Sequence, residues 1–253
     1  MKKKYSLYVS LGAACSCSET LRRHGLQLFS YPLDWCCGSS FLTRIQCLID
    51  GYRNFFNKED FQFVGPGNSI HDTYKNTRTG IIFKHDFAVD VPFDSQYPAL
   101  AQKYERRINR LLKQLEQADT VCFVYMCIPA EHTPVPDAEL LQGYHLLQES
   151  FKGKKIGLVY LFNNGAELPQ KTDVFLTAGV RKICFGYQEP GPAESWGVDR
   201  YKLRTVFKDY ALDEPYWVHL KRKVQQLFYK VASGLILSTQ KRRNFRKQHH
   251  LNY

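Results

Sequence analysis

Residues 5–29 read YSLYVSLGAACSCSETLRRHGLQLF. The apolar and β-prone residues from Tyr5 to Leu11 predict a strand. The spacing from Ser18 to Phe29, with Gly25 near its end, predicts a helix. Between them Gly12 allows a tight exit, and the small Ala13 and Ala14 let another group approach, so the chain opens as strand, turn and helix. Ser16 with Glu19 three residues on fits a capping box, which sets the helix N-terminus beside Cys15 and Cys17. In an open parallel sheet such a turn lies at the carboxyl end of a strand, where binding and chemistry gather.

The same rhythm runs downstream. SSFLTRIQCLIDGYRNFF (39–56) has apolar residues at helical spacing, and residues 61–87 become short and punctuated, with GPGN and NTRTG as turns and GIIFKHDF as a strand. YPALAQKYERRINRLLKQLEQAD (97–119) predicts an amphipathic helix and TVCFVYMCI (120–128) a buried strand. DAELLQGYHLLQESF (137–151) predicts a helix, KIGLVYLF (155–162) and VRKICFGY (180–187) predict strands, and RYKLRTVFKDYAL (200–212) a further helix. The alternation predicts an α/β fold: a three-layer sandwich with a mostly parallel central sheet, a small β-hairpin excursion and a basic C-terminal helical extension. The expected division is one α/β domain over 1–213, then a basic amphipathic helix and tail over 214–253.

At 253 residues, 44% hydrophobic and 23% charged, the chain supports a substantial core, and its longest apolar runs fall far below the roughly 18 residues of a membrane span. The opening MKKKYSLYVSLGAACS imitates a lipoprotein signal. Tyrosines and serines in its apolar part, and Gly12 three residues before Cys15, argue against that reading, and a cytoplasmic protein is expected. The eight cysteines need no disulfides. Cys15-x-Cys17 and Cys36-Cys37 lack the C-x-x-C spacing of a zinc clip, so neither metal nor cofactor is expected.

The net charge of +11 is concentrated at one end. Residues 215–253 carry nine Lys or Arg (Lys221, Arg222, Lys223, Lys230, Lys241, Arg242, Arg243, Arg246, Lys247) and no acid, leaving +2 for the rest. Trp217, Leu220, Val224, Leu227, Phe228, Val231 and Leu235 fall on one helical face. Such a helix can lie on an anionic membrane, here the inner face, or pack on the domain with a solvated tail. No nucleic-acid recognition module is visible.

Cys15, just before a helix N-terminus, is a candidate nucleophile. The helix dipole should ease its ionisation, and N–H groups at 15–18 can hold an oxyanion. Its other reading is a packing residue in a tight turn. A thiolate needs a base. Among the histidines, His85 stands at a strand end, whereas His132, His145, His249 and His250 read as surface or packing. Asp86 should point to the opposite face of that strand, which favours Asp34, in the loop SYPLDW beside Trp35, as the residue that orients His85, with Asp86 the alternative. Ser10, Gly12 and Trp35 are expected to line the substrate site. Arg106 and Arg110, on one helical face, can take an acidic substrate group.

The segments SLGAAC, LRRHGLQLFSYPLDW, FKHDF and YERRINRLL resemble a bacterial and viral domain family of unknown function described as "putative papain-like cysteine peptidase". The resemblance covers roughly residues 5–110, with a weaker echo to about 210. The family cysteine falls on Cys15 and its Pro-x-Asp-Trp on Pro32, Asp34 and Trp35, with Leu33 where an aromatic is more usual. Its His-Asp falls on His85 and Asp86, and its helical arginines on Arg106, Arg107 or Arg110. The resemblance implies a Cys–His pair, a cysteine hydrolase or acyl transferase acting on an acyl, peptide or glycan substrate, and a setting in surface-polysaccharide biosynthesis. A cysteine in the turn after the first strand departs from papain itself, where the nucleophile begins a long helix. The competing expectation is a non-catalytic scaffold for glycan assembly, docked to the membrane by its tail, with Cys15 structural.

Overall fold

The computed structural model describes residues 2–13, 15–127, 133–163, 172–185, 206–239, 241–242 and 245. Two compact units divide the chain, 1–211 and 212–253.

In the first unit β2 (Leu7–Gly12), β7 (Thr120–Cys127), β8 (Lys155–Asn163) and β10 (Val180–Phe185) form a parallel sheet in the order β2-β7-β8-β10, edged by antiparallel β9 (Thr172–Thr177). β2 and β7 are buried almost end to end because both sheet faces are covered. Leu7, Val9 and Leu11 share the main core with Val121, Phe123 and Tyr125. There Phe41 of α2 (Phe41–Ile49) packs edge-on against Tyr125, and α2 meets Gly143 of α4 (Asp137–Ser150). On the opposite face α1 (Cys15–Arg23) lies against the sheet, with Cys17 Sγ 3.5 Å from the Val124 carbonyl. The layers are therefore helix, sheet, helices.

Beside this sandwich lies an antiparallel sheet of order β3-β6-β5-β4, from β3 (Cys36–Gly38), β4 (Phe61–Pro66), β5 (His71–Asn76) and β6 (Ile81–Ala88). The long helix α3 (Phe93–Gln117) is fastened to β6 through Asp86, which accepts from Tyr104 Oη at 2.6 Å and pairs with Lys103.

Several expectations are corrected. The hairpin excursion is a four-stranded sheet, because the three residues Cys36–Gly38 add a strand to it. The helix over 39–56 stops at Ile49: Gly51 and Tyr52 follow at φ +63° and +60°, and two left-handed residues in succession end a helix. The capping box does not form. Ser16 lies inside α1, and Glu19 pairs with Arg23 four residues on. Of the helix over 200–212, residues 200–205 lie outside the described residues, and Tyr210–Leu212 form β11, paired with β1 (Lys3–Tyr5). Tertiary pairing overrides the local helical pattern there: Lys3 N donates to Asp209 O at 2.7 Å and Tyr8 Oη to Ala211 O at 2.9 Å.

In the second unit α5 (Tyr216–Gly234) begins after Pro215. No helix among the described residues is long and apolar enough to cross a membrane.

Candidate active site

The turn after β2 sets the site. Gly12 and Ala13 take φ +81° and +71°, so the chain leaves the strand in two left-handed steps and enters α1 at Cys15; Ala14 lies outside the described residues. A side chain at Gly12 has no room, since its Cβ would lie 2.9 Å from the Leu33 carbonyl and against the Arg44 guanidinium. Ser10, expected to touch substrate, is instead buried, and its Oγ accepts from Gly12 N–H at 3.1 Å.

Arg44 carries no signal in the sequence reading, yet it is the largest fully buried side chain. Its Nη1 donates to Leu11 O at 2.9 Å, its Nη2 to Cys36 O at 3.2 Å and to Gly38 O at 2.7 Å. One guanidinium thus ties the end of β2 to β3. Position 44 shares the core face of α2 with Phe41, Ile45 and Leu48, so a charged residue in that stripe was the available clue.

Cys15 is half-buried, and among the cysteines only Cys184 is comparably accessible. Burial pushes its thiol up to about 11, helped by Glu19 and Cys37, while the N–H groups of Ser16 and Cys15 itself pull the other way. The expected easier ionisation is therefore corrected: desolvation outweighs the helix terminus, and the resting sulfur is protonated at neutral pH.

His85 is exposed on β6, its ring 6.2 Å from that of His71 on β5. Desolvation lowers its pKa below the usual 6.5; Asp86 opposes this, and His71 and Lys84 reinforce it. The imidazole is neutral at pH 7 and able to accept a proton. Cys37 lies near Cys15 and is paired in register with Ile82 of β6, three residues before His85. Among the described residues no hydrogen bond joins Cys15 to His85.

The carboxylates serve elsewhere. Asp86 is held by Tyr104 and Lys103, at a register shift in β6 between Phe83 and Phe87 where simple alternation is broken. Asp34 is fully buried, and its Oδ2 accepts from Arg22 Nη2 at 2.9 Å, Gln27 Nε2 at 2.6 Å and Tyr31 N at 2.8 Å. Ser18 Oγ donates to its backbone carbonyl at 3.1 Å, so Asp34 stitches the loop 27–35 to α1 rather than orienting His85. Trp35 lies over the Arg22 guanidinium, 5.4 Å from ring centroid to carbon. On α3, Arg106 is exposed and Arg110 covers the Phe29 ring at 5.0 Å, whereas Arg107 is the helical arginine whose charge reaches Asp34.

Burial raises the Asp34 carboxyl from 3.8 to about 6, with Arg22 and the Tyr31 N–H opposing. A folded value above the unfolded one means that this contribution to stability is fully present below pH 3.8 and is lost as pH rises through 6. The thermal midpoint of the wild type minus that of Asp34→Asn should therefore fall between pH 4 and pH 7. A difference independent of pH would contradict this.

Among the described residues no group of three or more His, Cys, Asp or Glu is placed to hold a metal ion. A strand, a turn of two left-handed residues and a half-buried cysteine opening a helix define an α/β protein with a candidate thiol nucleophile. Residues 6–158 match the family described as "Putative papain-like cysteine peptidase", and the chain belongs to that family. An uncharacterized protein of Acanthamoeba polyphaga mimivirus is 24% identical over 136 residues, covering 47% of this chain and 60% of that protein. No solved structure matches.

Proposed function

We propose that the protein is a cysteine-dependent hydrolase in which Cys15 attacks an acyl carbon. The observation that carries this is the placement of a half-buried thiol at the first position of α1, with backbone N–H groups directed at its sulfur, at the carboxyl edge of the parallel sheet. With the thiol raised to about 11 and the imidazole lowered below its usual 6.5, a resting ion pair does not form. The S–H proton moves to His85 as the sulfur–carbon bond forms. N–H groups at the start of α1 receive the oxyanion. The leaving group departs with a proton, and water then cleaves the thioester; transfer to another acceptor in place of water would make the same site an acyl transferase.

The test is acetylation by an activated ester, p-nitrophenyl acetate, followed at each cysteine by mass spectrometry. Cys184, also half-buried, serves as an internal reference. Cys15 should acetylate at least tenfold faster than Cys184, and His85→Ala should slow it by about a hundredfold, within the usual contribution of a general base. β7 runs parallel to β2, so the chain leaving Cys127 starts at the sheet edge from which the Cys15 turn also leaves. His132, five residues on, lies outside the described residues and is the second variant: slowing by His132→Ala alone would move the base and keep the nucleophile. Acetylation of Cys15 no faster than that of Cys184 would instead favour the scaffold reading.

A further inference from the structure

The second unit carries a surface that the chemistry at Cys15 does not use. On α5, Trp217, Leu220, Val224, Leu227, Phe228 and Val231 recur at helical spacing and are 46–66% exposed. Trp217, Leu220, Val224, Phe228 and Tyr229 line a groove with Lys221 and Gln225. The chain turns back after α5 along the Tyr229 edge of this groove. Arg242 Nε donates to Ile236 O at 2.9 Å, and the Phe245 ring packs at 6.0 Å from that of Tyr229, which lies about 100° around the helix from Phe228. Phe245 reaches only the Tyr229 edge, and among the described residues of this unit the stripe from Trp217 to Val231 is exposed.

What covers the stripe is indicated by charge. Residues 215–253 hold nine basic residues and no acid, so a second copy laid face to face would set like charges together. A nucleic acid would satisfy the charge and leave the apolar stripe in water. A surface that is both anionic and apolar just beneath answers both features, and the helix is not one that spans a bilayer. We infer that α5 lies flat on an anionic lipid bilayer, its apolar stripe at the boundary of headgroups and acyl chains and its cationic tail on the lipid phosphates.

The full-length protein is tested by flotation with vesicles of phosphatidylcholine alone and of phosphatidylcholine with phosphatidylglycerol. Binding to the anionic vesicles should exceed binding to the neutral ones at least tenfold and weaken about tenfold in 0.5 M salt. Lys221→Gln should lower the partition coefficient about fivefold. Phe228→Asp should lower it at least tenfold, with circular dichroism unchanged. Trp217 emission should shift to the blue on binding, and Trp217→Phe should remove that shift while flotation persists. Equal binding to both vesicles, or binding indifferent to Phe228→Asp, would overturn the inference. So would a dimer dissociated by Phe228→Asp, or retention on a DNA oligonucleotide, in a protein that ignores vesicles.

Discussion

Arg44→Met should cost about 3–5 kcal/mol of folding stability, read as a lowered midpoint of chemical denaturation. The guanidinium donates to the carbonyls of Leu11, Cys36 and Gly38. Methionine fills similar space but removes the donors to the buried Leu11 and Cys36 oxygens and the half-buried Gly38 oxygen, each lost bond costing about 1–3 kcal/mol, offset in part because no cation has to be desolvated. Arg44→Lys should recover less than half of the loss, since a single ammonium cannot reproduce the planar fork that spans two strands. A loss below about 1 kcal/mol in Arg44→Met would show that water enters and satisfies the carbonyls.

Gly12→Ala should be at least as severe, about 4 kcal/mol or more. The residue sits at φ +81°, where a side chain costs about 1–2 kcal/mol. The added methyl also meets the Leu33 carbonyl at 2.9 Å and displaces the Arg44 guanidinium, so overpacking adds about 1–3 kcal/mol and broken hydrogen bonds add more. Because the two residues touch, the double variant should be less destabilised than the sum of the single ones. The functional consequence is separate from stability. If the turn must shift to admit the methyl, Cys15 leaves the N–H groups of α1, and its acetylation should fall to the rate of Cys184 even where the protein remains folded.

The strand and turn of residues 5–13 were legible because each rests on local rules, alternation in β2 and small residues at the exit; the helix was expected over 18–29 and instead runs Cys15–Arg23, with Gly25 at φ +69° after its end. What escaped depends on partners distant in sequence. Cys36–Gly38 is too short and too poor in β-formers to read as a strand, and it pairs only because β6 lies beside it. Asp34 was singled out as an acid that matters, but for orienting His85 rather than for the loop it holds. Its partners Arg22 and Gln27 were not legible, because they come from a helix end and a loop whose approach no local pattern encodes. The state of Cys15 was misjudged for a related reason: the helix terminus is visible in the sequence, and the desolvation that defeats it is not.

The edge position of β2 has a bearing on the order of folding. Ser6 and Thr120, 114 residues apart, exchange hydrogen bonds at the foot of the β2–β7 pair, whereas β4, β5 and β6 meet through short turns within residues 61–88. Local hairpins close at small entropic cost, and pairing across a hundred residues waits for them. During refolding, or on a nascent chain not yet past β7, Cys17 lacks the Val124 carbonyl of β7 that it meets in the folded sheet and is an ordinary exposed thiol. Its protection from alkylation is acquired late, so a pulse of alkylating reagent at that one residue dates the completion of the central sheet.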